Sequence, residues 1–338
     1  MNTKKSAALA AGLFSLTLLF TGCGNAGLES TKEELTPVMT IGDYEVPYEL
    51  YRYVAMNYKR QYEAGLDEAA AAELWLGDAG KALLEELEAE TTATLKNLYV
   101  TLSLAETYNL TPDSALVNES VATRMDEIYE SYENDTDAYL ESLTPYYMND
   151  SVYRFLIQDE VLTEELFYAM LNSGDILSDE EELRKLIESD AFIRIKQILI
   201  ASDNGNSADE NRALAEDIHD RLEKGGDFNA LLKEYGEDLY MFNNDDGYYI
   251  IRGNRYEAFE DAAFALDVGE FSDVVETEAG FSILMRFEKE DAYLNARFDD
   301  LCQEYFDSAY NALLQEHLTG ITAEPLPALE NYTIFTME

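Results

Sequence analysis

The sequence predicts an α+β protein in which a compact block of strands and helices lies between two mainly helical stretches. Apolar residues repeat with a helical period up to about Ser189 and again towards the C-terminus, whereas strand-like alternation begins near Phe192. The chain is 47% hydrophobic, with 24 Tyr and 15 Phe, so it can bury enough apolar surface to offset the entropy of ordering. At roughly 100–200 residues per domain, the 338 residues allow two domains, one of them possibly inserted into the other.

The charge balance excludes several classes of partner. The chain has 69 Asp and Glu against 23 Lys and Arg, a formal charge of −46. Nucleic-acid binding requires clustered cations, so we expect no nucleic-acid partner, and anionic membrane surfaces are disfavoured for the same reason. With only two His and two Cys, a Cys/His metal cluster or a disulfide framework is unexpected, and we predict no metal site.

The amino terminus predicts export and a lipid anchor. Lys4 and Lys5 precede an uncharged run that ends at Phe20. This run is shorter than the ~20 residues of a membrane-spanning helix and typical of a signal peptide. The following Thr21-Gly22-Cys23 resembles a bacterial lipobox; the alternative is an uncleaved anchor. We therefore predict a lipoprotein signal peptide over 1–22, lipidation of Cys23, a tether over 23–37, and a location on the outer face of the cytoplasmic membrane.

The first helical stretch, 38–189, opens with a hairpin. The residue pattern from Val38 to Val46 predicts two short strands around a Gly42-Asp43 turn. Pro47 is then expected at the start of a helix. Helical periodicity continues to about Ser189, with N-cap signals at Thr111-Pro112-Asp113 and Ser178-Asp179-Glu180. Trp75 and the many tyrosines have two interpretations, core packing or an adhesive surface for unfolded chains, and core packing is favoured.

The central block predicts helices packed on a four-stranded sheet. Strands are expected at Phe192–Ile200, Gly247–Ile251 and Gly280–Phe287. A helical stripe from Ala213 to Leu222 ends at Gly225-Gly226, Asp227 caps a second helix, and a third helix covers Phe259–Leu266. Residues between the second helix and the Gly247 strand are expected to form a polar loop.

The C-terminal part predicts one long helix and a tail. The helix is expected from Tyr293 to Leu318, and Tyr332 to Phe335 looks like a strand. Cys302 lies on the apolar stripe of that helix, where a small buried residue is expected rather than a reactive thiol.

The central block resembles a parvulin-type peptidyl-prolyl isomerase domain over roughly 190–290. The matching runs, in family order, are Lys196-Gln197-Ile198-Leu199-Ile200, Gly225-Gly226-Asp227-Phe228, Tyr235-Gly236-Glu237-Asp238, Asp246-Gly247-Tyr248-Tyr249, Arg252-Gly253, Phe259-Glu260-Asp261-Ala262-Ala263-Phe264-Ala265-Leu266 and Val268-Gly269-Glu270. With a lipobox before it, the chain resembles exported foldase lipoproteins of Gram-positive bacteria and the related periplasmic SurA-like chaperones. The resemblance implies that 38–189 and 291–338 fold together into one chaperone domain, and that no cofactor is needed.

The resemblance also implies site residues. Asp238 matches the polar group beside the rotating carbonyl, Phe259 the floor of the proline pocket and Thr277 a hydroxyl behind it. Their structural alternatives are a helix-end charge, a core ring and a turn residue. Gln197 and Ser282 stand where the family usually has a hydrogen-bonded His pair.

Two further residues are expected to bind substrate. They are Tyr248 and Arg255, and Arg255 replaces the apolar Met of the family's proline shelf. We expect the Arg255 side chain either to lie over Phe259 or to pair with Asp238.

Two functions follow as expectations. The first is a membrane-anchored foldase whose isomerase domain acts on X-Pro bonds of newly exported polypeptides. The alternative is a non-catalytic holdase with a degenerate parvulin domain, which the missing His pair and Arg255 favour. A third and weaker candidate is a lipoprotein that binds a small solute. Removal of the signal peptide, with Lys4 and Lys5, would make the chain two charges more negative. Because this negative charge would lie on the exported part of the protein, we expect basic clients to be favoured. Client capture that is insensitive to salt would contradict this expectation.

Overall fold

The computed structural model describes residues 30–337, except the side chains of residues 242 and 243. The predicted signal peptide over 1–22, the lipidation site Cys23 and positions 23–29 of the predicted tether lie outside the described residues. Within 30–337, no helix is both long enough and apolar enough to cross a membrane. The contacts divide the chain into two compact units, one formed by residues up to 169 together with those from 314 onward, and the other by residues 170–313.

The elements follow one another in chain order. The first part of the chain contains β1 (Pro37–Ile41), β2 (Tyr44–Pro47), α1 (Tyr48–Tyr62), α2 (Glu68–Leu74), α3 (Gly77–Thr107), α4 (Ala115–Ser131), α5 (Thr136–Leu143), a 3-10 turn (Thr144–Tyr146), α6 (Asp150–Ser173) and α7 (Glu180–Glu188). The middle contains β3 (Ile193–Ala201), α8 (Ala208–Glu223), α9 (Phe228–Tyr235), α10 (Leu239–Asn243), β4 (Tyr248–Ile250), α11 (Glu257–Ala265), β5 (Val275–Thr277) and β6 (Gly280–Phe287). The last part contains α12 (Asp291–Ala296), α13 (Phe298–Thr319), β7 (Ala323–Pro325) and a 3-10 turn (Pro327–Asn331).

The predicted fold class is confirmed. One unit is mostly helical and is drawn from both ends of the chain, and the other carries a four-stranded sheet with helices packed on it. The unit of residues 170–313 reaches beyond the predicted 190–290, because α7, α12 and the start of α13 share an apolar cluster with Phe192 and Tyr249. The domain boundaries themselves stay a prediction.

The hairpin and two helix starts follow local sequence rules. β1 pairs antiparallel with β2 across the predicted Gly42-Asp43 turn, where Gly42 has a φ of +56°. Asp179 and Asp227 cap α7 and α9, as expected, by accepting hydrogen bonds from the backbone N–H groups of the first helical turn.

The predicted strand over Tyr332–Phe335 is wrong. The third strand of the small sheet is β7, which pairs with β1, and the residues after it turn back with a Thr336 N–H to Thr333 carbonyl bond of 2.8 Å. The aromatic rings explain the difference: Tyr332 stacks on Tyr48, with ring centroids 3.9 Å apart, instead of lining a strand. The strand-like residue types of the tail thus reflect packing against residues of the helical unit.

The predicted helix over Tyr293–Leu318 is in fact two helices. α12 ends before Arg297, whose φ and ψ of −117° and 23° leave the helical region, and α13 begins at Phe298. Leu294 and Leu301, on either side of the break, pack in the same cluster, so the apolar period continues across it. Cys302 is buried in that cluster, as predicted.

Trp75 adopts the core interpretation. It is 8% exposed, and its indole N–H donates to the Glu63 carboxylate at 2.7 Å. An apolar ring with its one polar atom satisfied in this way belongs to the packed interior of the helical unit.

The four strands of the larger sheet lie in the order β4-β3-β6-β5, and each pair is antiparallel. Alternate residues point to opposite faces. Ile198, Ile200 and Ile283 pack with α8 and α9 on one face, whereas Ile195 and Leu284 pack with α11 on the other. By the same alternation, Gln197 and Ser282 lie on the α11 face.

Candidate active site

Asp238 lies at the start of α10, a short helix in the region predicted to be a loop. Its Oδ1 accepts hydrogen bonds from the backbone N–H groups of Tyr240 (2.9 Å) and Met241 (3.4 Å), so Asp238 is the N-cap of α10. The preceding residue is fixed to the sheet, since the Glu237 N–H donates to the Leu199 carbonyl at 2.9 Å. The helix-end role considered for Asp238 is therefore present, and it determines where the carboxylate lies.

The second carboxylate oxygen joins Asp238 to the sheet. Asp238 Oδ2 accepts from the Gln197 amide Nε2 at 2.6 Å and from the Tyr248 hydroxyl at 2.9 Å. Gln197 Oε1 in turn accepts from the Ser282 hydroxyl at 3.1 Å. Four of the residues predicted at the site are therefore brought together in one hydrogen-bonded network, which we call the Asp238 network.

Gln197 and Ser282 form a continuous relay at the positions of the expected His pair. A Gln amide donates on one side and accepts on the other, as a neutral imidazole does. Ser282 is 2% exposed and bonds Gln197 directly. The relay therefore keeps the pattern of donor and acceptor without a group that titrates near neutral pH.

Tyr248 is a hydroxyl donor held in a stacked pair. Its ring lies parallel to that of Tyr240, with centroids 4.6 Å apart and an interplanar angle of 10°. Burial and then the hydrogen bond to Asp238 raise the pKa of Tyr248 above its ordinary value, so its hydroxyl stays protonated at physiological pH. The pKa of Tyr293 is also raised, to about 12; burial is the larger cause and the neighbouring Tyr240 the next.

Phe259 lies on α11, in the apolar cluster that Tyr248 contacts. It is 7% exposed and packs with Ile195 and Leu284, and Tyr248 contacts the same cluster. The core-ring alternative therefore describes its environment, while its role as the floor of a proline pocket stays a prediction.

The Arg255 side chain takes neither of its expected positions. Its guanidinium forms an ion pair with Glu304 on α13 at 3.0 Å and donates to the Asn254 carbonyl. The expectation failed because Glu304 is distant in sequence and supplies a carboxylate that the local pattern does not reveal. The positive charge of Arg255 still acts on Tyr248: it lowers the pKa of the Tyr248 hydroxyl and so opposes part of the rise caused by burial.

Thr277 is not hydrogen-bonded to the Asp238 network in the described part of the chain. It is the last residue of β5 and pairs with Gly280 on β6. In the described part of the chain, no hydrogen bond connects its hydroxyl to Asp238, Gln197 or Ser282, so its assigned role stays a prediction.

Tyr240 is a site residue that the sequence analysis missed. It contributes both a backbone N–H to Asp238 and the ring that stacks on Tyr248. The sequence does contain a signal for a helix that starts here, because Asp is a strong N-cap residue and the mostly apolar run Leu-Tyr-Met-Phe follows it.

The arrangement suits a conformational reaction better than a covalent one. A carboxylate, an amide and a phenol are held next to a mostly buried aromatic ring, and Asp238 accepts every hydrogen bond it makes in the network. The elements that hold these groups also match a known protein family, since residues 181–290 fit the family described as the PPIC-type PPIASE domain.

This segment is a PPIC-type parvulin domain.

Relatives of the chain carry foldase and chaperone names. A foldase protein PrsA from Caldanaerobacter subterraneus subsp. tengcongensis is 27% identical over 278 residues, which cover 80% of this chain and 79% of that protein. A chaperone SurA from Chromohalobacter salexigens is 35% identical over 92 residues, 27% of this chain and 21% of that protein. The solved structure of the peptidylprolyl isomerase PrsA from Bacillus anthracis is 18% identical and covers 67% of this chain and 96% of its own, with a TM-score of 0.39.

A double-mutant cycle tests the relay in the parvulin domain. Gln197→Leu removes a donor from Asp238 and leaves the buried Ser282 hydroxyl without its acceptor, so we expect a loss of about 1–3 kcal/mol in unfolding free energy. Combined with Ser282→Ala, the coupling should be about 0.5–1.5 kcal/mol, measured by urea denaturation.

The control cycle pairs Gln197→Leu with Thr277→Ala. These residues share no hydrogen bond, so their coupling should stay below about 0.5 kcal/mol. Equal couplings in the two cycles would show that the relay adds nothing specific.

Proposed function

We propose that the chain is an extracytoplasmic foldase whose parvulin domain catalyses cis-trans isomerisation of X-Pro bonds in exported polypeptides. The observation that carries this proposal is the Asp238 network, in which Asp238, Gln197, Ser282 and Tyr248 are joined inside a PPIC-type domain. The names of the relatives, foldase and chaperone, support the same assignment.

The reaction needs electrostatics and shape. Rotation of a peptide bond has a barrier of about 18–20 kcal/mol, and X-Pro isomerisation takes tens to hundreds of seconds, which limits folding. Amide resonance places negative charge on the carbonyl oxygen, and rotation removes it. A fixed carboxylate beside that oxygen therefore destabilises the planar amide more than the twisted one.

Each site residue has a role in this proposal. Asp238 supplies the fixed negative charge, and its four hydrogen-bond donors keep it in place. Gln197 and Ser282 position it from the sheet. Tyr248 donates its single hydroxyl proton to Asp238 and so fixes the orientation of the carboxylate beside the rotating amide.

The pocket residues act on the proline ring. Phe259 forms the floor, and Thr277 is a hydroxyl behind the site. Arg255, whose charge is balanced by Glu304, is proposed to lie at the rim of the pocket and to contact the residues that flank proline.

A holdase function is the second candidate, and a groove in the helical unit favours it. This groove has a cavity volume of about 710 Å³ and is lined by Met39, Tyr51, Leu84 and the C-terminal tail, including Phe335. Phe335 is 54% exposed. An exposed apolar ring at the edge of a groove suits an unfolded segment, so binding there and isomerisation in the parvulin domain can serve the same clients.

The location of the protein is part of the proposal. Lys4, Lys5, the uncharged run after them and the lipobox-like Thr21-Gly22-Cys23 support export and a lipid anchor. A foldase with this amino terminus acts where polypeptides emerge from the membrane.

An isomerase assay with matched variants tests the catalytic proposal. Protease-coupled isomerisation of an Ala-Pro tetrapeptide should be faster than in buffer, and Asp238→Asn should lower kcat/KM about 100-fold by removing the charge. Asn keeps the oxygen that caps α10 but turns an NH₂ towards the Gln197 amide and the Tyr248 hydroxyl. We therefore expect a loss of about 1–3 kcal/mol in unfolding free energy, and the activity is compared well below the melting temperature of the variant.

Asp217→Asn, on the surface of α8, is the matched control and should retain full activity. A wild-type rate equal to that in buffer, together with suppressed aggregation of an unfolded client, would replace the isomerase by the holdase.

The groove is tested by Phe335→Ser. This change removes an exposed apolar ring, so suppression of client aggregation, followed by light scattering, should fall at least about twofold while isomerisation is retained. Tyr168→Ser is the control, because Tyr168 is 60% exposed on α6 and does not line the groove. Equal losses for both variants would argue against a specific groove.

The anchor is tested by Cys23→Ala. Without a thiol to acylate, the protein should no longer incorporate labelled palmitate and should leave the membrane fraction of expressing Gram-positive cells. Absence of palmitate labelling in both the wild-type chain and the variant, with both retained in the membrane fraction, would support the uncleaved-anchor alternative.

A further inference from the structure

A buried carboxylate lies in the parvulin domain, outside the Asp238 network. Glu260 on α11 is 6% exposed. Its carboxylate accepts hydrogen bonds from three successive backbone N–H groups: Gly253 at 2.8 and 2.9 Å, Asn254 at 3.0 Å and Arg255 at 2.9 Å. Consecutive N–H groups that converge on one anion form a nest, and here the anion is a side chain of the same domain.

The nest depends on an unusual backbone conformation. Gly253 has a φ of +103°, which side chains other than glycine rarely adopt. A Cβ at this position would also lie 3.1 Å from the Ser308 hydroxyl. Glycine therefore lets the chain turn its N–H groups towards Glu260 while passing close to α13.

The 252–255 loop is held from the α13 side as well. The Ser308 hydroxyl donates to the Arg252 carbonyl at 2.5 Å, and the Asn254 amide donates to the Glu304 carbonyl at 2.8 Å. The Arg255–Glu304 ion pair adds a third contact. The loop is thus fixed between Glu260 on one side and α13 on the other.

This loop joins the two elements that supply the candidate pocket. β4 carries Tyr248 and α11 carries Phe259, and the loop connects one to the other. Glu260 directly follows Phe259, so the residue that binds the loop is adjacent to the predicted pocket floor. The loop also carries Arg255 at the rim.

We propose that Glu260 is a positioning residue for prolyl isomerisation. Its carboxylate holds the 252–255 loop as a wall of the proline pocket beside Phe259. This inference rests on the proposed isomerase function and adds a residue that does not touch the reacting amide.

The first experiment measures the order of the loop without reference to activity. Glu260→Gln keeps the side-chain size but removes the charge and turns an amide NH₂ towards the N–H donors. Hydrogen exchange of the amides at 253–255, followed by NMR on the full chain, should become about tenfold faster, as expected for a lost charge-assisted bond. Glu257→Gln, in the exposed first turn of α11, is the matched control and should leave these amides unchanged.

The second experiment measures the pocket. Glu260→Gln should raise the KM for an Ala-Pro tetrapeptide, and its Kd by NMR titration, about tenfold with a smaller change in kcat, because the wall contacts the bound ring and leaves Asp238 in place. A merely structural residue would lower the melting temperature without this split. Faster exchange with unchanged KM and Kd would overturn the positioning role, and so would unchanged exchange.

The failure of this inference can be told apart from failure of the proposed function. If the wild-type chain neither isomerises nor binds the tetrapeptide, the isomerase proposal fails and the pocket role of Glu260 is overturned with it. If the wild-type chain is active and only the Glu260 readouts fail, the isomerase proposal stands alone.

Discussion

The position of the Asp238 carboxylate is the constraint on which the site depends. One oxygen satisfies the first N–H groups of α10 and the other accepts from Gln197 on β3 and Tyr248 on β4. Through Gln197 the same network reaches Ser282 on β6. A single carboxylate therefore joins one helix start and three strands, and four hydrogen-bond donors fix its orientation.

The network shows how Gln197 and Ser282 hold a carboxylate where a hydrogen-bonded His pair was expected. Strand alternation places Gln197 and Ser282 on the face that packs against α11, and their side chains meet at 3.1 Å. The amide supplies the direction that an imidazole tautomer would supply, and Tyr248 adds a donor whose raised pKa keeps it protonated. The charge of the site is thus independent of any histidine.

Periodicity and capping rules predict the elements of this chain well where the pattern is long. The strands β3 and β6, the Asp179 and Asp227 caps and the buried Cys302 follow from the sequence. The five-residue helix α10 is shorter than two turns, too short to show a helical period. The tail from Tyr332 has residue types that favour a strand, but Tyr332 stacks on Tyr48. Arg255 finds its partner 49 positions away, on Glu304, and such tertiary pairings leave no local trace.

Three carboxylates in the described part of the chain are held by neutral hydrogen-bond donors, as the excess of acidic residues favours, whereas the buried Asp150 also pairs with Arg154. With 69 Asp and Glu against 23 Lys and Arg, most carboxylates cannot pair with a cation. Glu49 is bound by the hydroxyls of Ser30 and Ser151 and the amide of Asn149, Asp238 by an amide, a phenol and two N–H groups, and Glu260 by three N–H groups. Because hydrogen bonds over such short distances are screened little by salt, these contacts should keep their strength at ionic strengths that screen the surface charge.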